Sequence, residues 1–234
     1  MLDVIQISYH EPFADFNFKL LQMFAPHAKR VQGVKGIFEA HKEAARIAQT
    51  SHFYVIDADA IIDEEFSFKF KPQADRFVYE TVPETDCVFV WRSSNPINDL
   101  IYGYGGAKLF PRKAMLNAEN WNVDMTTTIG CTFVPKFQVS NVTGFNTDPF
   151  NTWKSAFREC VKLSSKLIRG QVDEETEMRL MVWCNEGMDK PNGDYAIMGA
   201  KAGKKYGEAN QGNKEALFKI NDFEWLKEQY NAEN

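Results

Sequence analysis

The segment His52-Phe53-Tyr54-Val55-Ile56-Asp57-Ala58-Asp59 opens with a short, nearly continuous apolar run and closes on two carboxylates one residue apart. The run reads as a buried strand, and the acids stand where it ends. Toward the N-terminus, Asp3-Val4-Ile5-Gln6-Ile7-Ser8 alternates apolar with polar residues and leaves into the polar loop Tyr9-His10-Glu11-Pro12, which predicts another strand. Asn17 to Phe24, stopped by Pro26, predicts a short helix. The glycines of Arg30-Val31-Gln32-Gly33-Val34-Lys35-Gly36 permit tight turns. A helix is then predicted over Ile37 to Gln49, with Ile37, Ala40, Ala44, Ile47 and Ala48 on its apolar face. Strand, helix, glycine turn, helix and strand in that order make the βαβ pattern of an open sheet with helices packed on it.

Toward the C-terminus, Lys71 to Thr85 reads as loop, Cys87-Val88-Phe89-Val90-Trp91 as a strand, and Thr126 to Val142 as further strands. Pro96 to Pro111 is too glycine-rich for a regular element. A long helix is predicted from an Asn151 N-cap to Arg169, with Gly170 as its stop and Trp153, Ala156, Phe157, Cys160, Leu163 and Leu167 on its apolar face. A second runs from Asp173 to Asn185, carrying acids in its first turn, where the helix dipole favours them. Beyond Gly187 the glycines at 193, 199, 203, 207 and 212 read as punctuation before a last short helix around Phe223 to Tyr230. The expected architecture is one α/β domain, an open mixed sheet flanked by helices, with a helical C-terminal half.

At 234 residues, 44% apolar, 25% charged and 14% aromatic, the chain has the composition of a globular protein with a sizeable core, which excludes disordered, collagenous and coiled-coil classes. No stretch approaches ~20 apolar residues and the first residues lack an export signal, so a cytoplasmic location without membrane contact is expected. Cys87, Cys131, Cys160 and Cys184 form no C-x-x-C pair, which indicates neither a zinc site nor a disulfide framework. A net charge of −5 argues against a uniformly basic nucleic-acid coat protein and leaves room for a local basic face.

With 14 Asp in the chain, about one D-x-D arises by chance, so position carries the signal. In open α/β sheets ligands gather at the carboxyl ends of strands. Two carboxylates there can share a hard divalent cation with phosphate oxygens and so neutralise a departing diphosphate. The plainer alternative is that Asp57 and Asp59 solvate a strand end and cap a turn.

The strand ending in Ser8-Tyr9-His10-Glu11-Pro12, then Gly33-Val34-Lys35-Gly36 opening a helix, then Phe53-Tyr54-Val55-Ile56-Asp57-Ala58-Asp59, resembles in order and spacing the nucleotide-sugar half of the GT-A glycosyltransferases. That resemblance implies a Rossmann-like GT-A fold in which the first strand's loop holds uracil and ribose. It also implies a D-x-D that binds Mn²⁺ or Mg²⁺ on a UDP-sugar or other nucleotide-diphosphate sugar. Carried over by position, Tyr9 and Glu11 become nucleotide contacts. Lys35, Gly36 and His41 fall near the phosphate or sugar, and Asp57 and Asp59 become the metal-facing pair. For His41 the plainer reading is a solvated helix position. The family's late histidine ligand has no counterpart, since His10, His27, His41 and His52 are the only histidines.

Three further segments, Val90 to Asp99, Tyr102 to Pro111 and Phe150 to Cys160, resemble a group of tailed-phage GT-A enzymes. Some of these glycosylate hydroxymethylated cytosine in phage DNA, including by transfer of arabinose. The resemblance implies a nucleotide-sugar half over residues 1–90 and an acceptor half over 91–234, with 5-hydroxymethylcytosine in double-stranded DNA as acceptor. Trp91 and Tyr104 are then stacking faces, Gly105 and Gly106 let backbone approach a sugar or base, and Asn95 and Lys108 are further acceptor contacts. For Trp91, core packing is the alternative. The base that takes the acceptor's proton is Asp124 or, next, Asp148, for which helix capping is the alternative.

Independently of any family, Lys154, Arg158, Lys162 and Lys166 recur every four residues on the long helix, with Arg169 beyond. They form a basic stripe that can track phosphates, extended by Lys201, Lys204 and Lys205, or else a solvated helix face. The rival functions are the same transfer onto a polysaccharide, lipid or protein, and a non-catalytic nucleotide-binding phage accessory protein. A nucleotidyltransferase fits less well, because Tyr9-His10-Glu11-Pro12 is not the glycine-rich basic loop such an enzyme carries after its first strand.

Overall fold

The computed structural model describes residues 1–234 except 104, 120–127, 167–171 and 234. Backbone contacts divide the chain into two compact units. The first takes the described residues of Met1–Asn95, Ile101–Asn120 and Thr128–Gly144, and the second those of Pro96–Leu100 and of the stretch from Phe145 onward. A boundary at residue 90 therefore falls inside a strand of the first unit rather than between units.

The first unit is an open mixed sheet with helices. Its strands are β1 (Asp3–Ser8), β2 (Lys29–Gln32), β3 (His52–Asp57), β4 (Ala60–Ile62), β7 (Cys87–Ser94), β8 (Ile101–Tyr102), β9 (Lys108–Pro111) and β10 (Thr132–Thr143). A small separate hairpin, β5 (Phe77–Val78) with β6 (Val82–Pro83), lies in the stretch read from sequence as loop. The order is β2-β1-β3-β9-β7-β10-β4, with β8 on β7. β1 runs parallel to β2 and β3, and β10 parallel to β7, while β9 is antiparallel to both β3 and β7.

The order sets a geometric condition at Asp57-Ala58-Asp59. β3 and β4 are consecutive in the chain yet three strands lie between them. In a flat sheet the four spacings would come to ~19 Å. The three peptide steps from Asp57 to Ala60 reach at most ~11 Å. The sheet must therefore curl, and β10 supplies the bend: its register on β7 slips between Lys136 and Val139 and again between Val139 and Asn141. Past the second slip its end pairs with β4, Thr143 opposite Ala60.

Of the flanking helices, α1 (Ala14–Phe24) buries Ala14, Asn17 and Leu21. Leu21, Val4, Tyr54, Ile56, Phe66, Phe89, Trp91 and Leu109 belong to one core cluster. Helix α2 (Ile37–Ile47) buries Phe38, Ala40, His41, Ala44 and Ala45, so Ala40 and Ala44 face inward as expected while Ile37 is exposed. A short α3 (Arg112–Asn117) follows β9. Asp3 fastens the start of the sheet. Its carboxylate accepts from Lys29 Nζ at 2.8 Å, from Gln49 N at 2.7 Å and from Thr50 N at 2.9 Å, joining β1, β2 and the α2–β3 turn.

The second unit is helical: α4 (Pro149–Ser164), α5 (Asp173–Asn185), α6 (Gly193–Ala209), α7 (Lys214–Phe218) and α8 (Phe223–Glu233). α4 starts earlier than Asn151 because Asp148 is the N-cap and Pro149 opens the first turn. Its C-cap is Ser165, and Lys166 takes a left-handed φ of 55°; Leu167, Arg169 and Gly170 lie outside the described residues. α6 occupies the stretch read as glycine punctuation. Gly199, Gly203 and Gly207 recur every fourth residue and face Trp153, Phe157 and Val161 of α4. A Cβ at Gly199 would stand 2.3 Å from the Trp153 carbonyl oxygen, and one at Gly203 2.3 Å from that of Phe157. At Gly199 and Gly203 the backbones of α4 and α6 meet with no side chain between them. Around this contact Trp153 and Phe157 stack at 4.7 Å, and Leu217, Ile220 and Leu226 complete the core. Among the described residues no helix is long and apolar enough to cross a membrane.

Gly203→Ala forces a methyl group against backbone and is expected to destabilise the protein by about 2 kcal/mol, read as a lowered urea midpoint. Burial works against the charge of Asp3, but Lys29, the Gln49 and Thr50 amides and the Thr50 hydroxyl outweigh it and hold the carboxyl well below the usual carboxylate range. Its contribution is full above about pH 4 and is lost as pH falls toward the lowered native value. Asp3→Asn is expected to lower the melting temperature at neutral pH and to flatten its decline on acidification below about pH 4.

Candidate functional site

Because β1, β2 and β3 are parallel, their carboxyl ends open on one edge, with Ile7 of β1 opposite Asp57 of β3. Tyr9 and Glu11 leave from the end of β1, where the Tyr9 amide donates to Glu11 Oε2 at 2.7 Å. The β2–α2 loop leaves from the same edge, tied to β1 by Gly33 N donating to Ser8 O at 2.9 Å. Gly33 and Gly36 take φ of 75° and 94°, which glycine adopts without strain, and open space surrounds both. Lys35 between them is exposed.

The D-x-D is held on its backbone. Asn17 of α1, buried, donates Nδ2 to the Ala58 carbonyl at 2.8 Å, and Gly144 N donates to the Asp59 carbonyl at 2.6 Å. Asp57 Oδ2 accepts from Lys108 Nζ at 2.8 Å. Lys108 reaches it because β9 pairs with β3, placing Lys108 opposite Val55. Asp59 is half-buried. Desolvation, then the charges of Asp57 and Glu11, push its carboxyl up to about 7 against the pull of Lys108. Asp59 thus feels two like charges and the opposing charge of Lys108. Among the described residues no group of three or more His, Cys, Asp or Glu side chains is arranged to hold a metal. The donor set for a cation is the Asp57–Asp59 pair, hard oxygens suited to Mg²⁺ or Mn²⁺ when other oxygens complete the shell.

Tyr9, Glu11, Lys35, Gly36, Asp57 and Asp59 therefore share the edge the sequence placed them on. His41 does not: it is buried one turn into α2, its Nδ1 2.8 Å from the Ile37 carbonyl and its ring edge-on to Phe110 at 5.3 Å. It is neither a phosphate contact nor a solvated position. Trp91 is a core residue rather than a stacking face, 3% exposed and packed against Tyr54, Phe66 and Phe70. Asn95 is buried as well. Gly105 and Gly106 admit their own chain instead of a ligand. A Cβ on Gly106 would stand 1.9 Å from the Trp91 carbonyl oxygen, and one on Gly105 2.8 Å from Thr143 Oγ1. Lys108 serves Asp57 rather than an acceptor, and Tyr104 lies outside the described residues.

In the second unit, Asp148 is the cap of α4: Oδ1 accepts from Asn151 N at 2.9 Å and Oδ2 from Asn151 Nδ2 at 2.6 Å. Burial raises its carboxyl, but the Asn151 and Thr147 hydrogen bonds and the Lys154 charge prevail and keep it low. So engaged, the carboxylate does the work of a helix cap. Asp124 lies outside the described residues. The basic stripe is likewise tied into its own unit. Lys154 donates to Asn151 Oδ1 at 2.6 Å and sits 4.7 Å over Phe223, and Arg158 Nε donates to the Ile220 carbonyl at 2.8 Å. Lys162 pairs with buried Glu159 at 3.0 Å, and Lys166 with Asp173 at 3.1 Å. These cations fasten the α4 surface instead of forming a free row for phosphates.

Sequence reading missed Asn17 and Lys108 as partners of the D-x-D. An amide on the apolar face of a short helix was the available signal for the first. For the second there was none without the β3–β9 pairing.

No protein-family model matches the chain, and no curated protein matches its sequence. Among solved structures it is similar to a glycosyltransferase involved in the glycosylation of the major capsid of PBCV-1. The identity is 12%, over 58% of this chain and 83% of that one, with a TM-score of 0.34. A likeness that low bears on neither fold nor activity.

Lys108→Met leaves Asp57 without its counter-charge and is expected to destabilise the protein by about 2–3 kcal/mol. Adding Asp57→Asn should recover part of that loss, and the coupling between the two changes is read from a double-mutant cycle in urea.

Proposed function

We infer that the chain is a glycosyltransferase that uses a nucleotide-diphosphate sugar. The observation that carries this reading is the Asp57-Ala58-Asp59 segment, clamped by Asn17 and Gly144 at the carboxyl end of a buried strand, with Glu11 close enough for its charge to act on Asp59. A D-x-D of this kind presents oxygen donors where a sugar diphosphate would lie.

In this mechanism the β1 loop, through Tyr9 and Glu11, takes the nucleoside, while the open turn at Lys35 and Gly36 admits the phosphates. Asp59 and Asp57 hold Mn²⁺ or Mg²⁺, which when bound supplies charge neutralisation for the departing diphosphate. Lys108 pairs with Asp57 and orients it. A base, for which Asp124 is the candidate, removes the proton from the acceptor hydroxyl as that oxygen bonds to the anomeric carbon. The bond from that carbon to the diphosphate oxygen breaks, and its electron pair leaves with the nucleoside diphosphate. The tailed-phage resemblance supplies the acceptor, the hydroxymethyl group of 5-hydroxymethylcytosine in DNA, with arabinose among the sugars transferred. The α4 cations lend that acceptor no support, being bonded within their own unit.

Purified protein with Mn²⁺, a panel of nucleotide sugars, and DNA with and without hydroxymethylcytosine is expected to give a sugar-sized mass gain that needs one donor and the modified base. Asp59→Asn should retain the fold and lower turnover at least about a hundredfold. Full turnover in that variant removes the metal site from the reading. A donor that is bound or slowly hydrolysed, with no gain on any DNA, moves the acceptor to a polysaccharide, lipid or protein. Absence of donor binding overturns the reading altogether.

A further inference from the structure

Side chains alternate between the two faces of a strand, and this places Arg92 of β7 on the same sheet face as the paired Asp57 and Lys108. Lys108 stands opposite Val55 of β3 on one side and Val90 of β7 on the other, and Asp57 and Arg92 each lie two residues further toward the carboxyl end. Tyr54, Ile56, Phe89 and Trp91 take the opposite, core face. Two strand spacings separate β3 from β7, so Arg92 is level with Asp57 and ~10 Å across the sheet from it. On the other side of β7, the β10 ladder jumps from Lys136, opposite Trp91, to Val139, opposite Arg92. Phe137 and Gln138 between them have no partner on β7, and a bulge of this kind re-aims a side chain. Phe137 is turned outward, 76% exposed, with the Arg92 guanidinium 4.7 Å from its ring centre. Gln138 pins the bulge by donating Nε2 to the Glu65 carbonyl at 3.2 Å. Among the described residues no carboxylate pairs with Arg92, which is half-buried.

We propose that Arg92 and Phe137 form an acceptor platform that takes one unstacked nucleotide of a nucleic acid, the Phe137 ring stacking on the base and the Arg92 guanidinium holding a phosphate beside it. The word acceptor rests on the glycosyltransferase reading of the neighbouring edge. A guanidinium presents a planar fork of donors that matches phosphate oxygens in pairs. The ring contact fixes that fork without supplying an anion for it. An outward aromatic ring is a stacking surface for any base, since every base has a π-face. A nucleotide carries an anion and a flat ring together, whereas a neutral sugar leaves the charge of Arg92 unanswered. Inside a duplex both faces of a base are covered by its neighbours, so the ring serves a base that is out of the stack.

Arg92 differs in this from the cations of α4, which spend their charge or their donors within their own unit. The two members of the platform leave different signatures. A phosphate contact releases counterions and adds to the salt dependence of binding, while a stacked base adds affinity with no such dependence. Both are positioning residues: they fix where the acceptor lies and leave the charge on the departing diphosphate to the D-x-D. Their loss therefore raises the KM for nucleic acid and leaves the affinity for donor as it was.

The whole protein, without donor, is titrated into a fluorescein-labelled single strand of about eight nucleotides and into the matching duplex, with anisotropy read from about 50 to about 200 mM salt. The single strand is expected to bind more tightly than the duplex. Phe137→Ala should weaken that binding at least about fivefold with the salt slope unchanged, and Phe137→Trp should restore it. Arg92→Gln should weaken it and lower the slope of log affinity against log salt by about 0.7. Nucleotide sugars titrated with Mn²⁺ should bind all three variants as they bind the wild type. Phe137 lies outside the core, so its replacement leaves the urea midpoint in place and decides the matter even if Arg92→Gln unfolds. Unchanged oligonucleotide affinity in Phe137→Ala overturns the proposal, whatever the donor titration gives. So does tighter binding of a polygalacturonate oligosaccharide that the same substitution abolishes, which assigns the platform to an acidic polysaccharide. A wild-type chain that binds no donor overturns the glycosyltransferase reading, and the oligonucleotide titration still decides the platform.

Discussion

Three peptide steps between Asp57 and Ala60 join strands that stand third and last in the sheet order, and much else in the first unit follows from that short tether. The sheet has to curl, so one strand has to bend, and β10 does so at two register slips. The curl in turn brings the end of β10 against the tether, where Gly144 bonds the Asp59 carbonyl. Two acidic side chains are thereby held on backbone whose carbonyls are already engaged. The carboxylates stand at the open end of the strands, Asp57 bonded to Lys108 and Asp59 half-buried beside it.

β9 is the second dependency. It is four residues long, fully buried, and antiparallel to neighbours on both sides, so it alone joins the β2-β1-β3 half of the sheet to the rest. Its approach requires glycine at 106, since any side chain would run into the Trp91 carbonyl. Its first residue, Lys108, carries the ammonium that Asp57 needs. Architecture and electrostatics are thus combined in one short strand. The same economy appears in the second unit, where a row of glycines lets α6 lie directly on α4.

What could be read in advance divides along a physical line. β1, β3, the start of α2 and the whole of α5 were legible, because local periodicity and end signals agree with what the tertiary structure asks of them. α6 and β9 were not, because their glycines answer to a neighbour rather than to local conformation, and a glycine needed for close packing looks the same in sequence as one needed for a turn. Polar residues misled for a related reason. Asp148 and the cations of α4 carry the chemistry of catalysis and phosphate binding, but each is engaged in capping or fastening its own unit. The edge with Tyr9, Glu11, Asp57 and Asp59 was legible because a parallel βαβ order fixes which loops leave together. Lys108 and Asn17 were not, because long-range pairing brings them there.

The place of β10 in the sheet also bears on synthesis. β10 is the last strand to be made, yet it lies inside the sheet, between β7 and β4. β4 pairs with Asn141 to Thr143, which leave the ribosome roughly 80 residues after it, an interval of about 4–16 s at about 5–20 residues per second. For that time β4 has no sheet neighbour and one edge of β7 stands open. An unpaired edge invites pairing with another chain. The nascent protein is therefore most exposed to mispairing while residues 63–131 are being added, and the arrival of β10 ends that exposure by covering both strands at once.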